Sequence, residues 1–159
     1  MSPIGRPRGA RARLPLVLAI GLLVAACGTI STTPPAPTPA DFTGIAAFLA
    51  NAGITVTNVV SGDAGCPDPD ITKTAIGFDA RGLDQATPVR IHIYIFRNHD
   101  TYVRERSAVD RCAASFVTDP ATYESEEASP FVIAGQGPWA PTFRDRLRTA
   151  LVKAAGDGG

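Results

Sequence analysis

The sequence predicts an α+β domain, an antiparallel sheet of about four strands with helices packed on one face, in the order α-β-β-β-α-β-α. Residues 89–97 alternate aliphatic with polar or aromatic side chains, the period of a half-buried strand. Residues 42–52 and 142–154 carry apolar side chains at helical spacing. Between the first helix and the next, three Thr-, Val- and Ile-bearing segments follow one another. Successive strands flanked by amphipathic helices favour antiparallel pairing over a parallel crossover.

Asp41 suits the N-cap of the first helix, with Phe42, Ile45, Leu49 and Ala52 on one stripe and Gly53 as the stop. Ile54–Val60 reads as a strand. Ser61–Asp70, S-G-D-A-G-C-P-D-P-D, reads as a loop, and Ile71–Asp79 as a second strand ending in a turn at Arg81-Gly82. In the third strand, Val89–Arg97, the residues Val89, Ile91, Ile93 and Ile95 face the core. Arg90, His92, Tyr94 and Phe96 face the other way. Asn98 or Asp100 caps a helix running to about Ala114, with Tyr102, Val103, Arg106, Val109 and Ala113 turned inward. Asp119-Pro120 is a break, and Glu124, Glu126 and Glu127 form a solvated acidic stretch, with room for one further short strand near Phe116 or Tyr123. Phe131–Ala134 is a short apolar strand, followed by an irregular connection over Gly135–Pro141. Thr142 opens the last helix with Asp145 as capping-box partner, and Phe143, Leu147, Ala150, Leu151 and Ala154 form its stripe. Gly156–Gly159 is a disordered tail.

Charge is unevenly placed along the 159 residues: Lys plus Arg is 15, as is Asp plus Glu, yet residues 1–26 hold Arg6, Arg8, Arg11 and Arg13 and no acid. The remainder carries 11 basic and 15 acidic residues, a net of 11 − 15 = −4. A mildly acidic domain lacks the basic patch that supplies most nucleic-acid affinity, so no nucleic-acid partner is expected. A hydrophobic content of 45% excludes a chain disordered throughout.

Four segments follow: 1–26, 27–40, 41–155 and 156–159. The basic start, the uncharged run Leu14–Ala26 and the small pair Ala25-Ala26 have the layout of a secretory signal. As a helix that run spans about 20 Å, less than the roughly 30 Å hydrocarbon core of a bilayer. Leu23-Val24-Ala25-Ala26-Cys27 resembles the lipobox of bacterial lipoproteins. The resemblance implies that a peptidase cuts before Cys27, that the Cys27 sulfur carries diacylglycerol, and that its new amino group is acylated, as with palmitate. The expected location is extracytoplasmic, held to the cell membrane by Cys27. Gly28–Ala40 holds Pro34, Pro35, Pro37, Pro39 and four Thr, and reads as an extended spacer reaching up to roughly 40 Å. This layout is similar to that of small uncharacterised extracytoplasmic lipoproteins, a similarity that assigns no catalytic residues.

With Cys27 committed to lipid, Cys66 and Cys112 remain, and in an oxidising compartment they form a disulfide. G-x-S-x-G, H-E-x-x-H, the P-loop and G-x-G-x-x-G do not occur, and no metal site or cofactor is expected. Asp63, Asp68 and Asp70 crowd one loop, but Asp, Gly and Pro are turn formers first, and the spacing is not that of a calcium loop. Arg90, His92, Tyr94 and Phe96 form a candidate binding face on an open side of the sheet, against which stands ordinary cross-strand pairing. Trp139 is either a further binding anchor or a core plug. The expected function is a non-catalytic binding or interaction domain at the cell envelope, with a protein or small ligand as partner. The alternative is an envelope enzyme using His92 or His99.

Overall fold

The computed structural model describes residues 39–156. The signal, Cys27, the linker as far as Thr38 and the last three residues lie outside the described residues. The elements are α1 (Pro39–Asn51), β1 (Thr55–Ser61), α2 (Pro69–Thr72), β2 (Ala75–Gly82), β3 (Gln85–Ile95), α3 (His99–Ala113), a 3₁₀ turn (Pro120–Thr122), β4 (Tyr123–Ala128), β5 (Phe131–Gln136) and α4 (Pro141–Ala155). The five strands form one sheet in the order β1-β2-β3-β5-β4, antiparallel throughout. The expected α+β class and antiparallel sheet are present. Among the described residues no helix is long and apolar enough to cross a membrane.

Two expectations of the architecture change. The sheet has five strands rather than about four, because the further strand allowed near Tyr123 forms over Tyr123–Ala128 and joins as the far edge. Helices also lie on both faces, not one. β3 and β4 each pair antiparallel with β5, so they run parallel to each other and need a crossover, which α3 supplies over one face. On that face Ala108, Val109 and Cys112 of α3 pack with Tyr94, Phe96, Val132 and Ala134 of the sheet. On the other face α1 and α4 bring Phe42, Ile45, Leu49, Phe143, Leu147 and Leu151 against Phe78, Ile91, Ile93, Ile95 and Ile133.

Helix α1 begins at Pro39, so Asp41 lies inside it rather than at its cap. Gly53 follows it at φ +86°, a left-handed conformation that glycine takes without a Cβ clash. The expected second strand starts later, at Ala75, because Asp68 caps the short helix α2, accepting from the amides of Asp70 (2.9 Å) and Ile71 (3.4 Å). Asn98 caps α3, its Oδ1 accepting from the Thr101 amide at 2.9 Å.

The cap of α4 comes from a distant part of the chain. Asp145 makes no capping box, and Ala140 at the N-cap has no side chain for the task. Asp84, in the turn between β2 and β3, accepts from the amides of Thr142 and Phe143 at 2.8 Å each. Gln85 takes the Ala140 amide at 3.0 Å. Burial pushes the Asp84 carboxyl up, but the Thr142 and Phe143 contacts outweigh it and hold the group below its ordinary range. A carboxylate at a helix N-terminus also meets the positive end of the helix dipole. Asp84→Ala is expected to speed hydrogen exchange at the Thr142 and Phe143 amides and to lower the melting temperature above pH 5. The deficit shrinks as pH falls through the lowered pKa, where wild-type Asp84 also loses its charge. Unchanged exchange at both amides would refute the remote cap.

Candidate functional site

The alternating face of β3 is not an open surface. His92, Tyr94 and Phe96 are 4%, 0% and 3% exposed, and Arg90 alone is half-buried. The expectation of an accessible binding face is thereby corrected. An alternating strand has the same sequence pattern whether its second face meets water or a crossover helix, and here α3 and the loop before α2 cover it. Trp139 is 4% exposed and lies in the core, edge-on to Phe143 with ring centres 6.4 Å apart, its Nε1 donating to the Gln136 carbonyl at 3.2 Å. It is the core plug rather than an anchor.

The structure does gather a polar cluster at the border of the covered region. Arg90 Nη2 lies 2.5 Å from Asp63 Oδ2, and Nη1 donates to Asp79 Oδ1 at 3.2 Å and to the Asn58 carbonyl at 3.0 Å. Asn58 sits at the irregularity of β1 with φ 52°, which Asn tolerates better than most residues. Its Nδ2 donates to Asp79 Oδ2 at 2.6 Å. His92 Nε2 is 3.4 Å from Asp63 Oδ1, and the ring lies 4.5 Å from that of Phe116. Room for these side chains comes from Gly77 on β2, where a Cβ would meet Asp63 and Arg90. Burial raises the Asp63 pKa, but the Arg90 and Gly65 hydrogen bonds and the neighbouring positive charges outweigh it, leaving the carboxyl below its usual range. Burial lowers the His92 pKa, Asp63 partly restores it, and Arg90 lowers it further.

The three loop aspartates therefore have separate tasks: Asp63 holds Arg90, Asp68 caps α2, and Asp70 pairs with Lys73 at 3.0 Å. His92 Nδ1 has no hydrogen-bond partner among the described residues. His99 is exposed at the start of α3, its Nδ1 2.9 Å from Ser129 Oγ and its ring stacked on Tyr102. The two histidines lie in separate surroundings.

Cys66 and Cys112 form the expected disulfide, with Cα atoms 5.4 Å apart. It joins the loop after β1 to the end of α3. Beyond that end lies a concave feature that the sequence did not disclose, a cleft of about 510 Å³ lined by Asp110, Ala113, Ala114, Val117, Pro120 and Tyr123. Its walls are mainly apolar, and its polar edge is the Tyr123 hydroxyl donating to Asp110 Oδ1 at 3.0 Å. Burial raises the Tyr123 pKa to about 12, so this hydroxyl keeps its proton at neutral pH. Small residues at the helix end and a Pro turn make the cleft together, and their convergence is not visible from sequence spacing.

Fold and site thus define a disulfide-linked α+β domain with a five-stranded antiparallel sheet between two layers of helices. No family model matches the chain, and no curated protein or solved structure resembles it at a significant level.

Proposed function

We propose that the chain is a bacterial lipoprotein, anchored to the cell membrane through Cys27, whose folded part is a non-catalytic binding domain facing out of the cytoplasm. The observation that carries this reading is the Cys66–Cys112 disulfide standing behind an export-type N-terminus, since such bridges persist in oxidising compartments. Two or more acyl chains on Cys27 hold a protein to a bilayer far more firmly than one, at about 0.8 kcal/mol per buried methylene. The cleft beside α3 is the proposed place of binding. Its volume lies within the usual range of small-ligand sites, and its lining joins apolar walls to one hydrogen-bonding edge.

Cys27→Ser is expected to abolish fatty-acid labelling of the protein and to move it from the detergent-soluble membrane fraction to the soluble or uncleaved-precursor pool. Unchanged labelling would overturn the anchor. Photo-crosslinking in intact cells from Ala114, an exposed residue on the cleft wall, tests the binding role. A discrete adduct that disappears when Val117→Glu charges the cleft supports it. No adduct from a folded, anchored protein counts against the cleft.

A further inference from the structure

We infer that the Asp63–Gly65 loop and Phe116 form a lid over His92 which opens when His92 takes up a proton. Gly65, at φ +73°, lies so close to His92 and Phe116 that a Cβ there would meet both rings. The lid is one unit because Cys66 and Cys112 are joined, with the Asp63–Gly65 strip just before one cysteine and Phe116 just after the other. Besides the Asp63–His92 contact at 3.4 Å, three polar ties among the described residues hold it to the sheet. Asp63 binds Arg90, the Ala64 carbonyl accepts from the Tyr94 hydroxyl at 2.8 Å, and the Gly62 amide donates to the Ala75 carbonyl at 2.9 Å.

The closed lid suits a neutral imidazole. The charged groups acting on the ring are Asp63 from the loop and Arg90 from its own strand, with Asp79 of β2 engaged through Arg90. Across the sheet its register partners are Gly77 on β2 and Ala134 on β5, and Phe116 packs against the ring at a tilt from beyond α3, so none of these adds a charge. A second proton would place a donor on Nδ1 where the described residues offer no acceptor. Asp63 attracts that charge and Arg90 opposes it, while burial weighs against it most. In the open state water reaches the ring, and it titrates near its ordinary value of about 6.5.

The sign follows. A histidine whose pKa is lowered in the closed state favours opening as pH falls below the open-state value, by up to tenfold per pH unit until the closed-state pKa is reached. The carboxylates of Asp63, Asp79, Asp84 and Glu127 are held below their ordinary range, so they stay ionised between pH 5 and 7 and act only in stronger acid. His99 is exposed and apart from the lid.

The test is amide hydrogen exchange on the full chain in detergent at pH 7.0 and 5.0, corrected for intrinsic rates. Peptides over 62–66 and 114–118 are expected to exchange faster at pH 5.0 than at pH 7.0, by no more than about tenfold per pH unit, while those over 91–95 and 131–135 stay protected. In His92→Gln the pH dependence of the lid peptides disappears. The proposal fails if the dependence survives in His92→Gln, or if the β3 and β5 peptides lose protection in step with the lid. Should His92→Gln not fold, the wild-type ring resonance decides. Titration of His92 at or above the ordinary histidine value overturns the lid, and titration below it, matched by lid opening, supports it.

Discussion

A Cys66→Ala/Cys112→Ala double variant is expected to lose about 4 kcal/mol of unfolding free energy, and roughly 15 °C of melting temperature for a domain of this size. The bridge joins residues 46 apart, and in the chain-entropy account the cost of closing a loop that long is removed from the unfolded state. Alanine is the right replacement, since Cys112 is buried among Ala64, Tyr94 and Val109, where a serine hydroxyl would need a partner. Denaturant melts of the variant, of reduced wild type and of oxidised wild type separate the causes. Reduced protein should match the variant within about 1 kcal/mol, since both open the same loop. A loss below about 1 kcal/mol in both would mean that the unfolded chain gains little from release of the cross-link.

The parts of the fold that were legible are those where local pattern and tertiary role agree. The stripe Phe143, Leu147, Ala150, Leu151 of α4 is buried, and so are Ile91, Ile93 and Ile95 of β3. The edge strand β4 was only half legible: room was left for a strand near Tyr123, but Y-E-S-E-E-A has the composition of a solvated segment. The missing information was on other elements. Arg144 Nε reaches Glu126 Oε1 at 2.6 Å, and its Nη1 is 3.0 Å from Glu124 Oε2, close enough for an ion pair though not aligned as a hydrogen bond. On the other face Glu127 Oε2 accepts from the Tyr102 hydroxyl at 2.7 Å and from Arg106 Nε at 2.6 Å. Glutamates on an edge strand also discourage pairing with another sheet, so the charge that hid the strand serves it in the fold. The α4 cap was missed for a related reason, since Asp84 is close to Thr142 only after the hairpin folds back.

The polar cluster was half legible. Arg90 and His92 were singled out from β3, and Asp63 from its loop, but as members of two unrelated features. They meet because the loop after β1 folds over Gly77, a residue that carries no chemistry and so attracts no attention in a sequence. The opposite reading of Tyr94, as a surface contact, leads to a sharp experimental contrast.

Tyr94→Ala is expected to destabilise the domain by about 3–5 kcal/mol, the range for deleting a buried aromatic side chain. Tyr94 is wholly buried, and removing it empties the middle of the face shared by α3, β2 and β5. Its hydroxyl also satisfies the Ala64 carbonyl at 2.8 Å, and burial raises its pKa so far that it remains a donor at any ordinary pH. Tyr94→Phe separates the two contributions, keeping the ring and leaving the carbonyl without its donor, a loss of about 1–3 kcal/mol. The external comparison is Val103→Ala on α3, 60% exposed although the sequence pattern turned it inward, which should change stability by less than about 0.5 kcal/mol. If Tyr94 belonged to an open binding face, Tyr94→Ala would behave like Val103→Ala and weaken only a partner. Equal stability of those two variants would therefore remove α3 from that face of the sheet, and with it the lid over His92.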